Sequence, residues 1–309
     1  MVEHPLDSSN PLNLPPGWYA VFESSEVSQK RPQSAQRFGI HLVFWRNRSG
    51  QVIILEDHCP HRGAQLSLGK VVGDNIQCPF HGFQFDSEGK CQFVPELNKA
   101  SPGLCVKKFK TLEKYGLIWL NWRDQENQQN EIPWFPQQPD KLFTHSYSEV
   151  WKVHFSRSVE NQLDFAHLPF VHKTSIGRFS KIGKIPKGEI TKEGLRYYLG
   201  DPQGHSIQFL FPNIWLNYLN RKFMLSLAFA PIDANSTKLY LQVHRGYFTW
   251  PPFSWIMNFA DRALNKWVIS QDRRVVESQT PKNSIENKDN LFPNDRFIKH
   301  FRDWLYGKL

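Results

Sequence analysis

Two short segments constrain this chain of 309 residues more than anything else in it. Cys59-Pro60-His61-Arg62-Gly63 precedes Cys78-Pro79-Phe80-His81-Gly82, with sixteen residues between His61 and Cys78. The pattern C-x-H…C-x-x-H puts one Cys–His pair on each of two loops. Thiolate together with imidazole selects zinc or an iron–sulfur cluster. The single residue between Cys59 and His61 is tighter than the spacing usual in zinc fingers. Each loop also has a proline directly after its cysteine and a glycine close after its histidine, which suits two rigid turns closing on a compact cluster. Iron is therefore favoured over a structural zinc site. A [2Fe–2S] centre with two cysteines on one iron and two histidines on the other needs this composition, and its neutral imidazoles raise the reduction potential. Cys91 and Cys105 have no such pattern and read as ordinary packed residues.

The surroundings of these loops read as short strands. Gly17 to Phe22 follows the Pro15-Pro16 breaker, and Gly39 to Trp45 and Gln51 to Leu55 flank a turn. Phe83 to Asp86 and Gly116 to Trp122 complete a pattern that suits a small antiparallel β domain over residues 14–124. Arg123 to Gln138, rich in Gln, Asn and Pro, reads as a linker into a second domain, 125–309. There Glu149 to Phe155 reads as a strand, and Ser158 to Phe165 starts a helix that Pro169 should stop. Alternation over Phe223 to Phe229 and Leu239 to Val243 predicts half-buried strands. After Pro251-Pro252 a long helical pattern runs from Phe253 to Gln279. A last amphipathic helix places Phe297, Ile298, Phe301, Trp304 and Leu305 on one face. Sheet plus helices makes the second domain, and with it the chain, α+β.

A second constellation lies in Ser158 to His172. On a helix Asn161, Asp164 and His167, at i, i+3 and i+6, share one face. If Pro169 ends that helix, the chain can bend so that His172 returns toward His167. Two converging histidines completed by one carboxylate form a facial triad with open positions, the geometry that suits oxygen-activating iron(II). The competing reading, two histidines merely packing a helix end, loses weight beside a redox cluster whose electrons need a destination.

Together these segments resemble the Rieske non-haem iron oxygenases, and the chain is similar to their single-subunit monooxygenase and demethylase branch. Respiratory Rieske proteins carry an extra disulfide cysteine in each loop, which this chain lacks, and Rieske ferredoxins are far shorter. The resemblance implies an N-terminal all-β Rieske domain followed by a helix-grip-like catalytic domain with a curved antiparallel sheet. It makes Cys59, His61, Cys78 and His81 the ligands of the [2Fe–2S] cluster, and His167 and His172 ligands of a mononuclear Fe(II). Asp164, with Asn161 beside it, becomes a catalytic-site acid that bridges and does not ligate. Asp272, in Ser270-Gln271-Asp272-Arg273-Arg274-Val275-Val276-Glu277, stands where the demethylase-type branch carries its carboxylate ligand. Gln271 replaces an acid often found there, and Asp261 and Glu277 are the competing acids.

The activity so implied is hydroxylation or oxidative demethylation of a small organic, cyclic substrate by O2. A separate ferredoxin or flavin reductase supplies the electrons, since no Gly-rich nucleotide fingerprint occurs in the chain. Ring cis-dihydroxylation is the alternative chemistry. A Rieske electron carrier with a degenerate second domain and a zinc-bound scaffold are the non-enzymatic alternatives. The resemblance also implies a homotrimer: in family members that form head-to-tail trimers, the cluster of one subunit faces the iron of the next, and Asp164 would link a cluster histidine to an iron histidine across the interface. A carboxylate suits that role because it accepts an N–H from both rings and fixes their tautomers.

Composition excludes other classes. With 38 Lys+Arg against 29 Asp+Glu the formal net charge is +9, but the basic residues are scattered, so nucleic acid is not the expected partner. An acidic electron donor explains such a surface better. Lys70, Lys107, Lys108 and Lys110 are the candidate docking residues. Four cysteines fit a reducing compartment or a metal site. The first sixteen residues read as neither signal nor transit peptide, and no segment reads as a membrane span. The expected location is cytoplasmic.

Overall fold

Runs of β-branched and aromatic residues, punctuated by Gly, Asn and Pro, dictate many short strands in the first part of the chain. The computed structural model describes residues 12–123, 131–135, 142–179, 187–199, 204–284 and 289–308. The expected linker falls largely on residues outside this set. The chain divides into two units, Met1–Glu131 and Ile132–Leu309.

The first unit has ten strands among its described residues. They are Gly17–Glu23 (β1), Gln33–Arg37 (β2), Ile40–Arg46 (β3), Val52–Glu56 (β4) and Lys70–Val72 (β5). Asn75–Gln77 (β6), Gln84–Phe85 (β7), Cys91–Phe93 (β8), Thr111–Lys114 (β9) and Leu117–Trp122 (β10) follow. They form three antiparallel sheets, ordered β1-β10-β9, β2-β3-β4 and β5-β6-β7-β8. Trp45, Leu55, Leu66, Ile76 and Phe85 form a core that also takes in Cys59, Cys78 and Cys91. Cys105 differs from expectation: it is exposed. Phe83 lies before β7 and not within it.

The second unit is built on seven antiparallel strands among its described residues. These are Phe143–Trp151 (β11), Lys187–Ile190 (β12), Gly194–Tyr198 (β13), Ser206–Leu210 (β14), Ile214–Asn220 (β15), Phe223–Asp233 (β16) and Ser236–Arg245 (β17). The order is β11-β17-β16-β15-β14-β13-β12, a meander whose first strand returns to pair with the last. Residues 227–231 of β16 are buried on both faces, not half-buried as the alternation suggests, because the centre of the sheet is covered on both sides.

Four helices complete the unit's described residues: Phe155–Leu163 (α1), Leu168–Val171 (α2), Phe253–Val276 (α3) and Arg296–Leu305 (α4). Phe301 of α4 packs edge-on against both Phe155 of α1 and Phe209 of β14, tying helices to sheet. Three boundaries depart from the sequence reading. The strand expected over Glu149 to Phe155 ends at Trp151, because buried His154 caps α1 by accepting the Ser156 N–H on Nδ1. That helix stops at Leu163 and not at Pro169, since the Asp164 carboxylate takes the Ala166 N–H at 2.7 Å in a competing local turn. Pro169 instead opens α2, where its fixed φ and missing N–H suit a first turn.

Candidate metal centres

The two Cys–His loops are built alike. In each, the glycine four residues after the cysteine donates its N–H to the cysteine carbonyl, at 2.8 Å for Gly63 and 3.1 Å for Gly82. In each, the cysteine N–H reaches the carbonyl just beyond that glycine, on Ala64 or Phe83, at 2.9 and 2.8 Å. Gly63 and Gly82 sit at φ +77° and +75°, a region that strains residues with a side chain. The loops are thus one five-residue turn used twice, with histidine at its third position in the first and at its fourth in the second.

That turn sends the sulfurs inward and the imidazoles outward. Cys59 and Cys78 are buried in the core, while His61 is exposed and His81 half-buried, their rings 4.6 Å apart. Burial pushes the Cys59 thiol up to about 11; the N–H groups of His61 and Arg62 directed at it pull the other way, and the adjoining Cys78 thiol adds to the rise. Buried Asp57 anchors the first loop, accepting Ser34 Oγ at 2.9 Å, Ser67 Oγ at 2.6 Å and the Ser67 N–H at 2.8 Å. Two touching thiols next to two touching imidazoles fit a [2Fe–2S] centre with two ligands of each kind.

In the second unit His167 caps α2 and His172 ends it, so one short turn presents both rings on the same side. Asp272 meets them from the buried face of α3, where Ile269, Asp272 and Val276 repeat at i, i+3 and i+7. Its Oδ1 lies 2.9 Å from His172 Nε2 and 3.4 Å from His167 Nε2. One donor atom from each of the three residues falls within 4.8 Å of the others. Asp272 Oδ1 is buried yet accepts no well-directed hydrogen bond. Burial lowers the proton affinity of His167, but Asp164 and Asp272 outweigh it and raise the ring to about 9. Burial acts in the opposite sense on Asp272, and the two histidines outweigh it to hold that carboxyl low. Two imidazoles and one carboxylate aimed at a common point are a donor set that a divalent cation satisfies, and they fit a facial iron site.

The competing acids are engaged elsewhere. Asp261 binds Arg245 at 2.5 Å, and Glu277 accepts the Lys152 N–H at 2.7 Å. Asp164 stands beside the histidines, with Oδ2 3.4 Å from His167 Nδ1. Asn161 lies on the preceding helical turn, and its buried Nδ2 has no partner among the described residues.

Three residues around this centre play parts that sequence reasoning did not assign. Gln271 Oε1 accepts from His172 Nδ1 at 2.8 Å and from Ser175 Oγ at 2.9 Å, which leaves His172 Nε2 facing Asp272. Tyr197 and Trp215 both donate to the Gln162 carbonyl, at 3.4 and 3.2 Å, and so secure the end of α1 before Asp164. The only sequence signal for these is Gln271's place next to Asp272. Phe209 of β14 is core, packed among Phe211, Phe229 and Phe301.

A β unit with a thiol–imidazole cluster site, followed by a sheet-and-helix unit with a two-histidine, one-carboxylate site, defines an iron-dependent oxidoreductase. Comparison with known proteins agrees. The Rieske [2Fe-2S] domain family matches residues 17–114. Methylxanthine N1-demethylase NdmA of Pseudomonas putida is 26% identical, over 93% of this chain and 87% of that one. A solved structure of the NdmA QL mutant of P. putida CBB5 with theobromine shares the fold at a TM-score of 0.80, covering 94% of this chain and 89% of its own. Dicamba monooxygenase, 20% identical, has the same fold at a TM-score of 0.78 over 94% and 97% of the two chains. Residues 17–114 form a Rieske [2Fe-2S] domain, and the chain as a whole is similar to the Rieske non-haem iron oxygenases. It is an oxidoreductase that uses O2 and electrons supplied from outside.

Proposed function

We propose that Cys59, His61, Cys78 and His81 hold the [2Fe–2S] cluster, that His167, His172 and Asp272 hold a mononuclear Fe(II), and that the substrate is a small cyclic compound carrying an N- or O-methyl group. The observation that carries the iron assignment is the meeting of three buried or half-buried donors from α2 and α3 around an unsatisfied carboxylate oxygen. The substrate class rests on the full-length likeness to a methylxanthine demethylase. When bound, the cluster relays single electrons and the iron activates O2 toward a C–H bond.

The chain's own residues prepare that chemistry. Gln271 holds His172 by Nδ1, and Asp164 stands against His167 Nδ1, so each ring keeps Nε2 turned to Asp272. Asp164 remains part-exposed, as an acid that must also reach a cluster histidine of another subunit in a homotrimer requires. Lys70, Lys107 and Lys110 are exposed and suit an acidic ferredoxin or reductase, whereas Lys108 is ion-paired with Glu88. In the overall reaction one oxygen atom enters the methyl C–H bond and the other leaves as water, at the cost of two electrons and two protons. The hydroxymethyl product then loses formaldehyde.

The test is a panel of N-methyl and O-methyl ring compounds given to the iron-loaded protein with a ferredoxin and its reductase. Formaldehyde and the demethylated ring should form in step with O2 consumption. A cis-diol product would move the chemistry to ring dihydroxylation. A reducible cluster with no O2 uptake on any substrate would leave an electron carrier.

A further inference from the structure

The first half of α3 is built inside out. Its inward positions are mostly polar: Ser254 is buried, and Asn258, Asp261 and Asn265 are half-buried, with Met257 the apolar exception. Arg245, wholly buried at the end of β17, fixes that face by donating to the Ser254 carbonyl at 3.0 Å, Asn258 Oδ1 at 2.7 Å and Asp261 Oδ2 at 2.5 Å. The outward positions are apolar. Ile256, Phe259, Ala263 and Trp267 recur at i, i+3, i+7 and i+11, one stripe of a 3.6-residue helix. Phe259 is 78% exposed, Trp255 67% and Ile256 63%. The approach to the helix extends the same surface. Residues 246–253 are all exposed, Trp250 to 64%, and a chain of ring contacts links Phe223, Tyr247, Phe248, Phe253 and Trp250. An amphipathic helix normally turns its apolar face to the core. Here a buried arginine turns it to the outside, and scattered exposure of single residues does not account for a continuous aromatic face.

The charges on this face have one sign. Between Tyr247 and Trp267 the exposed ionic residues are Arg262 and Lys266, the sole acid being Asp261, which is neutralised by Arg245. Arg221 and Lys222 add two more cations at the turn beside it, where the Lys222 carbonyl accepts the Gly246 N–H at 2.8 Å. Trp, Tyr and Phe ringed by Lys and Arg is the composition of a surface that rests in the headgroup–acyl boundary of an anionic bilayer. Pairing the face with a second copy of a chain of net charge +9 would set these cations against one another. No helix among the described residues is long and apolar enough to cross a membrane, so the contact lies on the surface of the bilayer and does not span it. We infer that the face formed by Tyr247–Trp250 and the outer side of α3 down to Trp267 docks this oxygenase on an anionic lipid surface.

Flotation of the full-length, metal-loaded protein with large unilamellar vesicles tests this. Binding should rise about tenfold or more when phosphatidylglycerol replaces about a third of the phosphatidylcholine. Substituting Trp255→Ser, Ile256→Ser and Phe259→Ser together should cut it by about tenfold or more. Arg262→Glu with Lys266→Glu should abolish the preference for anionic vesicles and leave the cluster absorbance unchanged. Quenching of wild-type tryptophan fluorescence by brominated lipid reports the same contact with no variant that could misfold, and it should be pronounced. No flotation and no quenching by the wild type would overturn the inference. So would a triple variant that floats like the wild type, or a wild-type oligomer that binds no vesicles and falls apart on the triple substitution, which would give the face to a second copy.

Discussion

Gln271 shows how much of a metal site lies outside its ligands. Its amide oxygen accepts from His172 Nδ1 and Ser175 Oγ, so one residue orients the ring and pins the turn after it. Orienting partners of this kind are typically worth about 10–100-fold in metal affinity. Gln271→Leu should therefore weaken retention of the mononuclear iron by about that factor against a chelator, with the cluster spectrum unchanged. Gln271→Glu, which keeps the acceptor, should hold the iron. Equal retention in all three proteins would remove Gln271 from the site. Sequence reading singles out this glutamine only as a departure from an acid, because a hydrogen bond across 99 positions leaves no local pattern.

Among the elements, α1 carries the most consequence, since the chain leaves it at Asp164 to form the candidate iron site. Two devices hold it. Buried Glu160 receives Arg302 of α4 through both oxygens, at 2.8 and 2.9 Å, while Arg157 and Arg302 share Asp289. Removing one partner of a buried ion pair leaves the other uncompensated, at a cost of about 3–5 kcal/mol. Arg302→Leu should lower stability to urea by that order and spare the cluster absorbance; a midpoint equal to wild type would show that the clamp contributes little. The second device is neutral His154, whose Nδ1 can cap the helix only while unprotonated. Burial, assisted by Arg157, brings it down to about 4, and burial assisted by His145 does the same to His244. Both rings thus bind protons less readily folded than unfolded. The contribution of these two rings to stability should be flat above about pH 6.5 and fall progressively from there toward about pH 4, by up to about 3 kcal/mol for each histidine. His154→Asn and His244→Gln should flatten that slope in denaturant titrations at several pH values, and an unchanged slope would assign it to other groups.

The long periodic elements were legible from pattern alone: β1, β3, β4, β10, α3 and α4 lie within a few residues of expectation. The short strands β5, β6 and β8 were not, since three residues show no periodicity and their pairing comes from the tertiary fold. The break at Asp164 was hidden for a different reason. Proline is the louder breaker in sequence, but a carboxylate that captures a backbone N–H stops a helix just as well.

At the scale of the whole molecule, each unit has its own core and its own candidate metal centre, and motif spacing made both centres legible. The acid from α3, about a hundred residues on, was singled out only by the sequence around Asp272; the structure adds that Arg245 and the Lys152 N–H engage its competitors Asp261 and Glu277. Net charge also belongs to this scale. If Lys107 and Lys110 steer an acidic electron donor, cluster reduction should slow steeply as salt shortens the Debye length to roughly 8 Å at about 0.15 M. Lys107→Glu with Lys110→Glu should lower that rate and flatten its salt dependence, and an unchanged rate and slope would return these lysines to ordinary surface.

As proposed, one chain carries a thiol–imidazole iron–sulfur cluster and, separately, an iron held by His167, His172 and Asp272. Iron and acid-labile sulfide, measured side by side in the wild type and in Asp272→Ala, test it most directly. The wild type should hold about three irons and two sulfides per chain, and the variant about two of each, with an unaltered cluster spectrum. Stoichiometric zinc without sulfide, or a variant that keeps its third iron, would contradict it.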